Sequence, residues 1–450
     1  MNNIDLFKKK MQTASLSDKI IDVFSYYYSL FIAGEKGKLS KKDIDLPTER
    51  QVISYTKLNN DSYNSLQKLA VIKLNGGLGT SMGLSKAKSL LPVKDNNTFL
   101  DIIANQILFL RNKYTIDIPL IFMNSFNTSK DTVTYLEKYP SLRLNDIPLE
   151  FIQNKFPKIE KDTNKPYENI DDSLTWNPPG HGDIYNVLNE SDLIDVLLER
   201  GIEYLFISNS DNLGAVVDTK ILNEMIEYDI DFVMEVCNRT EMDKKGGHLA
   251  KKKGGELVLR EVAQCPDEEN DEFQDIKKYK YFNTNNLWIK LSELKKLLIK
   301  YKGILPLPLI LNAKKVSDTP VIQFETAMGS AISLFEKAKA VCVPRNRFLP
   351  VKKTPDLLML WSDIYYLDDD FIIKKRDKDR DIVIELDDEY FGSIEDFSNA
   401  FIDGIPSLID CQYLKIVGNV KFGQNVKFSD KIELITSSES FLSNIHIKGI

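Results

Sequence analysis

Strand-length apolar runs alternate with helix-period segments between about residues 65 and 345, and that alternation predicts an α/β protein: a sheet with crossover helices. A second observation is the stretch Val71–Gly83. Its apolar run ends in four glycines within eight residues, Gly76, Gly77, Gly79 and Gly83, as happens where something must approach the backbone closely. The third is the tail, where Val417, Val420, Phe422, Val426 and Phe428 recur amid glycine and asparagine at roughly hexapeptide spacing. That pattern predicts a small β-solenoid, with a β-meander as the alternative.

Taken in order, the chain opens with one convincing helix, Leu16–Ala33, with Ser15 as a candidate cap. A charged loop follows, so residues 1–60 read as an accessory helical segment. Strands are expected at Ala70–Leu74, Leu120–Asn124, Leu149–Gln153, Tyr204–Ser208 and Phe232–Val236. Helices are expected between them at Leu100–Lys113, Thr132–Lys138, Ile184–Arg200 and Thr219–Glu227. Residues 256–262 and 281–291 read as further strands, Leu291–Lys302 as a helix and Gln323–Lys339 as a long helical segment. Together these make 61–355 one catalytic unit. Residues 356–399, dense in Asp and Lys and most of all from Lys374 to Asp381, read as a solvated linker before a last domain over 400–450.

Composition narrows the function. A net charge of −7, with Lys and Arg spread along the chain, argues against a nucleic-acid partner. The most hydrophobic segment, Ile20–Ala33, is too short to span a bilayer and contains Asp22, so no membrane role is expected. Cys237, Cys265, Cys342 and Cys411 are far apart, without a Cys-x-x-Cys pair, which fits reduced core residues in the cytoplasm rather than a thiolate metal site.

The chemistry is expected just beyond the strand ends, where open α/β sheets bind ligands. The glycine loop can turn several N–H groups on one anion, and Lys86 and Lys88 follow within reach, which together read as a phosphate cradle. It matches neither the dinucleotide fingerprint nor the P-loop, and a ligand-free strand-to-helix turn is the alternative. In Pro178–Asp183, glycines flank His181, which has little packing to justify it; its imidazole could donate to a phosphate oxygen without acting as a base. Asp211, in Ser208–Gly214 after a strand, is the natural ligand for a Mg²⁺ that also holds phosphate oxygens, unless it merely caps a turn. Lys245–Gly247, Glu261 and Phe282–Asn286 could read sugar hydroxyls or could be simple turns and strand edges. Lys352 closes a Pro-bounded apolar segment, and Lys353 beside it is expected to matter much less.

Leu74–Gly83 followed by Lys88–Lys94 resembles the signature of the eukaryotic-type UTP–glucose-1-phosphate uridylyltransferase family. Phe151–Gln153, Pro178–Asp183, Ser208–Gly214, Lys245–Gly247, Phe282–Asn286, Gln323–Ala327 and Arg347–Lys352 follow in that family's order. The resemblance implies a Rossmann-like nucleotidyltransferase core with a mixed sheet and a C-terminal left-handed β-helix. It implies nucleotide contacts at Leu74, Asn75, Gly76, Gly77, Gly79, Thr80, Gln153 and Gly180, with Lys88 on the triphosphate. It implies sugar contacts at His181, Asn209, Gly247, Glu261, Asn283 and Asn285, with His181 and Lys352 at the reacting phosphates and Mg²⁺ on Asp211. The substrates would be UTP and glucose 1-phosphate, and the products UDP-glucose and pyrophosphate. A related UDP-sugar or UDP-N-acetylhexosamine pyrophosphorylase is the alternative, although Asn75 and Leu78 suit the glucose enzyme better. Ser85–Ala87 differs from the Gly-Pro-Lys associated with animal members. The tail after Phe428, with Ser437–Phe441, reads as shorter and less regular than the family's β-helix, through which a monomer could become a homo-oligomer.

Overall fold

The computed structural model describes residues 2–377 and 382–449. A large mixed sheet forms its centre, with β1 (Val52–Ser54), β2 (Leu69–Asn75), β3 (Leu120–Asn124), β4 (Glu150–Ile152), β5 (Tyr204–Asn209), β6 (Phe232–Asn238), β7 (Tyr281–Lys290) and β8 (Ala338–Cys342). Their order across the sheet is β1-β8-β6-β7-β5-β2-β3-β4. β5, β2, β3 and β4 run parallel, as do β6, β8 and β1, while β7 lies antiparallel to both β5 and β6.

Side chains alternate between the two faces of these strands, and both faces are apolar because both are covered. Ala70 and Ile72 join a core with Ile207, Leu188, Leu197 and Leu294 on one face. Leu69 and Val71 join Phe206, Leu100, Ile103 and Ile107 on the other. There the helix α3 (Phe99–Tyr114) begins with a capping box, Thr98 accepting from the Asp101 N–H at 3.2 Å and Asp101 accepting from the Thr98 N–H at 2.8 Å.

Several expectations need correction. Two helices, α1 (Asn3–Thr13) and α2 (Asp18–Ile32), stand where one was read, and Ser17 rather than Ser15 caps the second. Ser15 has φ 56°, in the turn between them. The α1–α2 hairpin buries Phe7, Met11 and Phe24 against Phe156, Trp176 and Phe324. Ile184–Arg200 is two helices, broken at Asp192 with φ 50°. Gln323–Lys339 is not a long helix: it holds the end of a strand, Thr319–Glu325, a 3₁₀ stretch, Met328–Leu334, and the start of β8. Partners of Thr319–Glu325 from Ile310–Val316 override its helix-like spacing. Residues 362–390 contain short strands, Tyr365–Leu367, Ile373–Lys375 and Val383–Leu386, and the end of the Lys374–Asp381 run lies outside the described residues.

The tail is not a meander, because every pairing described in it is parallel. Val417 pairs with Ile435, 18 positions on, Val426 with Ile445, 19 positions on, and Val383 with Tyr413, 30 positions on. The parallel pairing does not stop at Phe428: Ser440–Leu442 pairs with Val420–Phe422, and Ile445–Lys448 with the strand that begins at Val426. Leu408, Leu414 and Phe428 of the tail share one core with Met82, Leu91 and Val351, and Leu357, Leu358 and Phe397 belong to the same core.

Candidate functional site

The parallel strands β2, β3 and β5 end side by side, and their ends are tied by side chains. Asn75 is buried, donates to Asn124 Oδ1 at 2.7 Å and Thr132 Oγ1 at 2.9 Å, and accepts from Ser210 Oγ at 2.9 Å. Its amide is therefore spent inside the scaffold, and the positions after it carry the open surface. Gly76 leaves room for Gln153, whose Nε2 would stand 3.0 Å from a Cβ there. Gly77 faces open space, and Thr80 is exposed. Gly79 has φ +64°, and a Cβ on it would meet Leu84 Cδ1 at 2.8 Å and Lys88 Cγ at 3.2 Å. The loop folds back so that the Lys88 N–H donates to the Gly77 carbonyl at 3.1 Å, setting Lys88 at its mouth. Lys86 is exposed, outside this arrangement.

Lys88 Nζ meets Asp211 Oδ2 at 2.6 Å, joining the glycine loop to the segment after β5. That segment is held from two sides. The Ser210 N–H donates to the Leu74 carbonyl at 2.9 Å. The Val351 N–H donates to the Asp211 carbonyl at 3.3 Å, and Asn212 forms a β-bridge with Pro350. Lys352 follows directly, so the backbone brings it beside Asp211, although its own side chain is exposed on the rim.

Opposite lies Pro178–Asp183, and its glycines are required by contact. A Cβ at Gly180, where φ is +78°, would come within 2.5 Å of the Thr326 carbonyl oxygen, and one at Gly182 within 2.3 Å of Thr326 Oγ1. His181 Nδ1 accepts from the Met328 N–H at 3.0 Å, which leaves Nε2 as the proton-bearing atom. Burial also pushes its pKa down to about 4, so the ring is neutral at pH 7. Asp183 accepts from the Asn154 N–H at 2.7 Å and ties this loop to the residue after Gln153. Burial raises its carboxyl to about 6 despite those donors.

Leu74, Gly76, Gly77, Lys88, Gln153, Gly180, His181, Asn209 and Asp211 thus line one cavity of about 340 Å³. Gly247, Glu261, Asn283 and Asn285 do not line it; they form a neighbouring cluster. A Cβ on Gly247 would stand 2.5 Å from Glu261 Oε2, so only a glycine lets the carboxylate pack against the backbone there. The Asn283 N–H donates to the Gly247 carbonyl at 3.1 Å, and Asn283 Nδ2 to Asn285 Oδ1 at 2.8 Å. Burial raises Glu261 to about 7. The two groups meet across Met328–Gly329: Met328 holds His181, and Gly329 packs against Asn283 Nδ2, 3.4 Å from where its Cβ would be.

A buried charge network beneath the site escaped the sequence reading. Arg347 donates to Glu235 at 2.6 and 2.7 Å, to Asp218 at 3.1 Å and to the Val216 carbonyl at 3.0 Å. Trp288 and Asn286 also donate to Glu235, and Tyr55 to Asp218. Asn212 donates to the Arg347 carbonyl at 3.2 Å and accepts from the Leu349 N–H at 2.8 Å. One signal was available: Glu235 is a lone carboxylate within the apolar run of β6, and a buried charge demands a partner.

A mixed α/β sheet whose parallel strand ends present a glycine loop, an ammonium group and a carboxylate to one cavity defines a phosphate-ester-binding protein. The family model described as UTP–glucose-1-phosphate uridylyltransferase matches residues 21–429. A UTP–glucose-1-phosphate uridylyltransferase of Astragalus penduliflorus is 41% identical over 91% of this chain and 87% of its own length. That of Saccharomyces cerevisiae is 41% identical over 90% and 83%. A crystal structure of a point mutant of UDP-glucose pyrophosphorylase from Leishmania major, in complex with UDP-glucose, superposes with a TM-score of 0.92 at 39% identity, covering 100% of this chain and 98% of that one. This chain belongs to the UTP–glucose-1-phosphate uridylyltransferase family.

Proposed function

We propose that this protein transfers the uridylyl group of UTP to glucose 1-phosphate, giving UDP-glucose and pyrophosphate, reversibly. The observation that carries the reading is the convergence of the glycine loop, Lys88, Asp211, Gln153 and His181 on one cavity in a chain of this family. A phosphate oxygen of glucose 1-phosphate attacks the α-phosphorus in line, and pyrophosphate leaves. That nucleophile is already an anion near neutral pH, so no general base is required. The barrier is the approach of two anions, and the residues are suited to lower it. Lys88 and the N–H groups of Gly76–Thr80 oppose the triphosphate charge, Lys352 does so from the rim, and His181 donates through Nε2. Gln153 and Gly180 read the base; Asn209, Gly247, Glu261, Asn283 and Asn285 take the sugar hydroxyls.

Asp211 would hold Mg²⁺. Among the described residues no cluster of three or more His, Cys, Asp or Glu side chains could cage a metal. A single carboxylate already attracting a cation suits Mg²⁺, which keeps waters and shares its oxygens with substrate phosphates. When bound, the metal would neutralise phosphate charge. We further infer that the tail is a left-handed β-coil, that the chain divides into an accessory segment, a catalytic domain and a C-terminal unit that includes the buried helices and strands of residues 356–399, that the setting is cytoplasmic, and that any self-association runs through the tail.

The test is pyrophosphate release from UTP and Mg²⁺ across a panel of sugar 1-phosphates. Glucose 1-phosphate should be among the best substrates, and a clear preference for an N-acetylhexosamine 1-phosphate would overturn the assignment.

A further inference from the structure

The carboxylate loop has a fastener on the far side of the sheet from the cavity. Lys73, on β2, is 3% exposed, and its Nζ donates to Ser208 Oγ and to the Ala215 carbonyl, both at 2.7 Å. Ser208 and Ala215 are the two ends of the segment that carries Asn209 and Asp211. The third direction of the ammonium group faces the Phe206 ring, 5.4 Å from its centroid. No carboxylate contacts Lys73 among the described residues, and burial, with Arg347 nearby, pushes its pKa down to about 7. A buried cation held only by neutral acceptors is costly to keep. Here both of its strong bonds go to one loop.

We propose that Lys73 is a positioning residue for the transfer reaction: by pinning both ends of the Ser208–Ala215 loop it fixes where Asp211 and Asn209 stand relative to the glycine loop that leaves the same strand. The inference rests on the assignment of Asp211 to Mg²⁺ and phosphate. A neutral amine still has two N–H groups for its two acceptors, so the pin does not depend on the charge. Lys73 touches no substrate; it acts through the loop.

A cavity of about 130 Å³, walled by Val71, Ile103, Ile107 and Phe206, adjoins Lys73 and allows a chemical test. Lys73→Met keeps the volume and removes the donors. It should lower kcat at least tenfold and raise the half-saturating Mg²⁺ concentration several-fold, with KM for glucose 1-phosphate changed less. Lys73→Ala should lose as much, and propylammonium should restore several-fold of kcat where tetramethylammonium, which has no N–H, does not. Ser208→Ala removes one acceptor with minimal disturbance and should shift kcat and the Mg²⁺ response in the same direction by a few-fold, which decides the matter even if both Lys73 variants fail to fold. Asp211→Asn separates the two layers of the argument. If it shifts the Mg²⁺ response while Ser208→Ala, and Lys73→Met where it folds, leave kcat and that response unchanged, the positioning role is wrong and the metal assignment stands. If Asp211→Asn leaves the Mg²⁺ response unmoved, the metal assignment itself fails, and the positioning role with it.

Discussion

The two loops that face each other over the strand ends are built on opposite terms. Gly76–Gly83 is held mainly by its own backbone bonds, with one side-chain tie from Ser125 Oγ to the Gly76 carbonyl at 3.0 Å and Met82 as its buried foot, and Gly77 is in open space. Asn209–Asp218 is anchored from below by Lys73, from the side by Asn212 and from behind by the Arg347–Glu235–Asp218 network. A phosphate cradle must present N–H groups and let a polyanion in, so crowding would defeat it. A carboxylate that places a cation must not drift, because misplacement by about 1 Å can cost on the order of 10²-fold in rate. Stability and function are thus expected to separate between the two loops.

The largest effect on folding should come from the anchored side. Arg347→Met leaves Glu235 and Asp218 buried without their cation and should cost about 3–5 kcal/mol, read from urea unfolding. A smaller loss than for any glycine-loop variant would break the contrast. Lys88→Ala should do the reverse, lowering kcat by about 10²–10³, or about 3–4 kcal/mol in the barrier, with little change in the urea midpoint. Steady-state kinetics beside the unfolding curve checks both halves.

A third test sharpens what rigidity costs in acid. His248, stacked at 4.0 Å on Tyr279, is buried with its Nε2 unpartnered, and burial beside Arg239 and Arg260 pushes its pKa down to about 3. The unfolded chain binds this proton below its ordinary value near 6.5 and the folded chain does not, so the residue withdraws stability as pH falls through that window. His248→Phe should therefore gain roughly 3 kcal/mol over the parent at pH 4 and far less at pH 7, measured by unfolding at both. An equal gain at the two pH values would refute the linkage. The smallest effects belong to the open loop. Gly79→Ala, at φ +64° and against Leu84, should cost about 1 kcal/mol. Gly77→Ala should cost under about 0.5 kcal/mol, and, on the proposed reading of the loop as a phosphate cradle, should still weaken UTP binding.

Legibility followed the same division. The glycine loop, Lys88, His181 and Asp211 stood out in sequence because their chemistry is local: glycines in a row, a histidine between glycines, an aspartate just past a strand. The network residues did not, since Arg347, Glu235 and Asp218 are linked across more than a hundred positions. Helix-like spacing misled at Gln323–Lys339, where pairing with Ile310–Val316 imposes a strand. In the tail the hexapeptide spacing was legible up to Phe428, and the last layer was not, because Ser440–Leu442 depends on Val420–Phe422 for its pairing.

By itself the sequence determined the alternating α/β core, the strand character of the tail and most of the groups able to meet a phosphate, since periodicity and backbone freedom are written residue by residue. Only the tertiary structure decided that Lys88 would face Asp211, that Lys352 would stand on the rim, and that Asn283 and Asn285 would cluster apart from the main cavity across Met328–Gly329. Those outcomes are set by which strand ends lie side by side and by what a buried charge finds within reach, and neither is encoded in any one stretch of chain.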